Sequence, residues 1–101
     1  MSNSEILQEV GKLALAKGNA RRERNTLHRR ITASGNALHN LAPLLMREYP
    51  SPPDLGAAAD IIGHLIDAGG LEQIRKDIQQ FLVLEQQISQ LSHQLASEGA
   101  E

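Results

Sequence analysis

Between residues 6 and 45 the apolar side chains recur at alternating steps of four and three. One seam position takes Ile6, Leu13, Ala20, Leu27, Ser34 and Leu41, and the other Val10, Lys17, Arg24, Ile31, Leu38 and Leu45. A helix of 3.6 residues per turn carries such a pattern along one stripe, and a strand cannot. Sustained over this length, it predicts a long amphipathic helix with coiled-coil-like packing. The segment is expected to run over about 4–49, with Ser2 or Ser4 as N-cap and Glu5 completing the capping-box spacing from Ser2.

The middle of this stripe is charged. From Lys12 to Arg30 there are seven basic residues and one acid, a net of +6, while the rest of the chain carries −8. Lys17 and Arg24 occupy seam positions, where their stems can pack while the charged heads reach water. Gly18, Asn19 and Asn25 lower helix propensity in the same place. The waist is therefore expected to pack less tightly than either end. Breaks or a kink are expected at Ser34, Gly35 and Asn36, and again at Pro43, whose ring clashes with the preceding turn.

The clearest punctuation comes next. Pro50, Pro52 and Pro53 mark a turn over 50–53. Ser51 before Pro52 matches an N-cap with proline at the first helical position, and Asp54 complements the helix dipole. A short helix over about 52–68 follows, with Leu55, Ala58, Ile62, Leu65 and Ile66 expected inside. Gly69 and Gly70 end it. The last helix, about 71–97, repeats Ile74, Phe81, Ile88 and Leu95 every seven residues, joined by Ile78, Leu84 and Leu91. Between residues 79 and 97 its only charge is Glu85; six glutamines and several serines fill the other face. Neutral amides are easier to bury between helices than charges, since no ion is desolvated.

At 101 residues, with Tyr49 and Phe81 the only aromatics, a single domain with a modest aliphatic core is expected. Cysteine is absent, which excludes disulfides and thiolate metal sites. No apolar run approaches the ~20 residues a bilayer requires. The first residues lack the basic and apolar regions of a signal peptide, so a cytoplasmic location is the expectation.

Chemistry is hard to place. His28, His39, His64 and His93 never stand four apart from one another, so no metal or cofactor is expected. The residues after His64 lack the lysine and glycine of a phosphotransfer helix. Asp60, Asp67, Glu72 and Asp77 have no polar companion at fixed spacing, and Gly69 and Gly70 precede no Lys-Ser/Thr pair. No catalytic residue is assigned and no enzymatic activity is expected. The candidate binding feature is the basic set Lys17, Arg21, Arg22, Arg24, Arg29 and Arg30, suited to phosphates or to an acidic protein. Bases would find no aromatic to stack on there.

The resulting expectation is an all-α small bundle: a long helix with a kink, a short middle helix and a long C-terminal helix. Its packing or oligomer seam comprises Ile6, Val10, Leu13, Leu27, Ile31, Ile74, Phe81, Leu84, Ile88, Leu91 and Leu95. A protein partner and a symmetric homodimer are expected, since three helices leave part of an a/d seam uncovered. The functional expectation is a non-enzymatic interaction module, an adaptor, inhibitor or assembly component of a larger bacterial or phage complex. The alternative is a nucleic-acid-binding accessory using residues 17–30.

Overall fold

A computed structural model describes residues 3–98. Three helices account for nearly all of them: α1 (Asn3–Met46), α2 (Pro52–Asp67) and α3 (Gly70–Ser97), with no strand among the described residues. The protein is all-α. Glu5 lies in the first turn of α1; Ser2 lies outside the described residues.

Of the two expected forms, a bent helix or two pieces, the second does not occur. The helix runs through Ser34, Gly35 and Asn36 and contains Pro43, ending at Met46 rather than near residue 49. Pro43 stands in the last turn, where few ladder bonds follow it, and the residue four before it, His39, is exposed to water.

The chain forms two compact units, the first from Met1–Leu27 with Gln79–Glu101 and the second from His28–Ile78. In the first, α1 and α3 run antiparallel: Ala16 and Ala20 share a cavity wall with Gln87, Gln90 and Gln94, while Arg24, further along α1, meets Glu85. Its core is Ala20, Leu27, Leu84 and Ile88, with Phe81 packed against it. Ile6, Val10 and Leu13 are only half-buried. The waist thus supplies Ala20 and Leu27 to the buried cluster, and a cavity of about 300 Å³ adjoins Ala20. Arg24 keeps its head beside the Glu85 carboxylate, at 3.0 Å.

In the second unit α2 lies antiparallel on the later part of α1. Ser51 caps α2: its Oγ accepts the Asp54 N–H at 3.2 Å, and Asp54 Oδ2 accepts the Ser51 N–H at 3.3 Å. Arg47 Nη1 donates to the same Oδ2 at 2.7 Å, tying the residue after α1 to the first turn of α2. Hydrogen bonds from Ser51, side chain first and backbone second, hold the Asp54 carboxyl below its ordinary pKa of 3.8, and Arg47 adds to the effect.

At the other end Gly69 takes φ +107° and Gly70 φ +67°, and the Gly69 N–H closes on the Ile66 carbonyl at 3.0 Å. Both angles lie where L side chains are strained.

The inner face of α2 keeps the expected Ala58 and Leu65 but exchanges Leu55, Ile62 and Ile66 for Asp54 and Ile61. Asp54, Ala58, Ile61 and Leu65 turn inward, while Leu55, Ile62 and Ile66 are exposed. On α1 the seam holds through Ile31 and Ser34 and then steps to Ala37, Leu41 and Leu44, leaving Leu38 and Leu45 exposed. The covering helix explains the step: beside Ala33, Ser34 and Ala37 lie Ile61, Leu65 and Ala68 of α2.

Candidate interaction surfaces

The expected seam of α3 is occupied as read at Ile74, Phe81, Leu84, Ile88, Leu91 and Leu95, all buried or half-buried. Ile78 is not part of it; it is exposed, and the neighbouring Asp77 takes the inward position with 6 % exposure. Residues 74, 77, 81, 84, 88, 91 and 95 then alternate by three and four without interruption.

An acid at such a position requires partners. Asp77 Oδ1 accepts from Arg30 Nη2 at 2.7 Å and from Gln73 Nε2 at 2.9 Å. No buried side-chain polar atom among the described residues lacks a partner. Arg30, half exposed, reaches inward from α1 while much of its side chain stays wet.

The six basic residues therefore do not form one solvated band. In the first unit Arg24 meets Glu85, and Arg22 donates to Asn19 one turn earlier on its own helix. Arg21 is exposed and Lys17 half-buried. In the second unit Arg30 is committed to Asp77, and Arg29 is exposed. Pairing with carboxylates reduces the positive potential that phosphates would meet.

Two adjoining cavities of about 200 and 360 Å³ lie in the second unit, sharing Ala33, Ser34, Leu65 and Ala68. The smaller reaches Arg30 and Asp77 at one end; the larger opens past Asn40 and His64. Aliphatic side chains, among them Ala33, Leu65, Ala68 and Ile74 or Ile61, alternate on their walls with polar ones such as Ser34. Among the described residues there is no cluster of three or more His, Asp or Glu that could hold a metal ion. No helix among them is long and apolar enough to cross a membrane.

The larger feature is apolar exposure. Leu7, Leu15, Leu82 and Val83 of the first unit face solvent. So do Leu38, Leu45, Leu55, Ile62 and Ile66 of the second, together with Met46 and Tyr49 beside the Pro50 turn. Sequence reasoning missed Leu38, Leu45, Leu55, Ile62 and Ile66 as surface residues because it assigned them to a seam or an inner face. No family model, curated protein or solved structure matches the chain.

Proposed function

We propose that the protein is a non-enzymatic interaction module that works as a homo-oligomer, docking helical faces against protein and serving as an adaptor, inhibitor or assembly component of a larger complex. One observation carries the reading. Large aliphatic side chains stand exposed in both units, Leu7, Leu15 and Leu82 in the first and Leu45, Leu55 and Ile66 in the second, and such surface gains roughly 25 cal/mol per Å² on leaving water.

Coiled-coil-like association and a protein partner are in keeping with the long amphipathic helices and the neutral, glutamine-rich outer side of α3. A nucleic-acid role would draw on Arg21, Arg22 and Arg29, with Arg24 and Arg30 already facing carboxylates. The protein reading is therefore preferred.

If folding is coupled to self-association, the thermal midpoint rises with protein concentration. Circular-dichroism melts between about 1 and 100 μM test this. A midpoint that climbs with concentration is expected, and one independent of it would contradict the homo-oligomeric reading.

A further inference from the structure

We propose that the smaller cavity of the second unit is a binding site for a small organic cation. The ligand class is an alkylammonium, its head on the Asp77 carboxylate and its short hydrocarbon body among aliphatic side chains. The site stands apart from the homo-oligomeric reading, because every residue that lines it belongs to the second unit of one chain.

Asp77 carries the argument. Its side chain is only 8 % exposed. Both of its hydrogen bonds, from Arg30 Nη2 and from Gln73 Nε2, nevertheless end on the same oxygen, Oδ1. No described residue donates to Oδ2. Nor is Oδ2 sealed in by packing, since every fully covered side-chain oxygen or nitrogen among the described residues has a partner. Asp77 lines the cavity of about 200 Å³, and this open oxygen is the part of it that a molecule there can reach. A carboxylate oxygen only accepts, so its complement is an N–H or O–H donor.

Charge narrows the donor to a cation. Among the residues that line the cavity, Arg30 and Asp77 alone are charged. They do not cancel evenly. The Arg30 side chain is 51 % exposed, so water screens it, whereas the carboxylate is largely shut away from water. The covered end of the cavity is therefore negative. A hydrogen bond from a charged donor to a carboxylate is roughly twice as strong as a neutral one.

Size and lining describe the rest of the ligand. A cavity of ~150 Å³ lined by apolar side chains takes benzene, so this one has room for an ammonium with a body of about four carbons. Ala33 of α1, Leu65 and Ala68 of α2 and Ile74 of α3 supply aliphatic wall, and Ser34 adds a hydroxyl. Three helices thus meet around one buried acid.

The test titrates the full, ¹⁵N-labelled chain with n-butylammonium chloride and follows backbone amide shifts. Saturable shifts at Ser34, Ala68 and Ile74 are expected, with a dissociation constant on the order of 1 mM. Butyrate and n-butanol, which share the body but not the charge, are expected to bind at least ~10-fold more weakly. Asp77→Asn keeps Oδ1 for Arg30 and Gln73 and turns an amide N–H toward the cavity, so n-butylammonium is expected to lose at least ~10-fold in affinity. Circular dichroism checks that this variant folds. If it does not, Ala33→Leu, at an exposed position on the same wall, narrows the cavity and is expected to weaken binding. Undiminished binding to whichever variant folds overturns the site. Butyrate or n-butanol binding as tightly as n-butylammonium overturns the cationic class. Shifts that never saturate, or that scatter over exposed carboxylates elsewhere, mean that the cavity takes water only and overturn the proposal as a whole.

Discussion

Asp77 occupies a position that heptad spacing reserves for an aliphatic side chain, and its stability rests on Arg30 and Gln73. The two ends of this ion pair are unequal: the carboxylate is buried, whereas the guanidinium is half exposed and can return to water. Removing the cation therefore strands a buried charge, while removing the acid strands nothing. Arg30→Ala is expected to cost about 2 kcal/mol, less than a fully buried pair would lose because water already screens Arg30. Asp77→Leu is expected to stay within about 1 kcal/mol of wild type, since the adjoining cavity can take the extra methyl groups. Urea unfolding of both variants checks the ranking, and Asp77→Leu proving the more damaging would refute it. The acid was discoverable in the sequence. Reading Ile78 as inward produces consecutive steps of three at 78, 81 and 84, whereas Asp77 keeps the alternation intact. A search for apolar residues passes over it.

The elements themselves were legible where local chemistry decides them. Ser51 caps α2 as read, Asp54 adds a reciprocal bond to the Ser51 N–H beyond its expected dipole role, and two glycines with positive φ close the helix. At Gly69 the requirement is doubled: besides its φ of +107°, a Cβ would lie 2.6 Å from Gln73 Cβ. Gly69→Ala is expected to destabilise by more than ~1 kcal/mol, and Gly70→Ala, which has open space, by less. Chemical denaturation that ranks Gly70→Ala as the worse would refute this account of the turn. The buried faces were harder to read. α2 carries aliphatic residues at 55, 58, 61, 62, 65 and 66, which support two stripes one residue apart. Which stripe turns inward depends on contacts distant in sequence, and propensity does not encode those. The same holds for α1, where the seam steps from 34 to 37 as α2 becomes its neighbour. The uninterrupted helix through Pro43 shows position outweighing residue type, since one proline in a last turn disturbs little of the ladder.

For the whole molecule the governing quantity is the surface left over. Few side chains are fully buried, and Leu84, 2 % exposed, is the largest of them. A core of this size is marginal for a chain of 101 residues. Association with a second copy would enlarge the buried apolar surface without adding sequence. Two of the six basic residues brace the fold: Arg24 and Arg30 each join α1 to an acid on α3 within their own unit. The most direct test of self-association is the solution mass of the unmodified protein by sedimentation equilibrium over a hundredfold range of concentration. The account predicts about 22 kDa, twice the 11.0 kDa chain, falling toward the single-chain value only on strong dilution. A mass of 11.0 kDa at every concentration would contradict it.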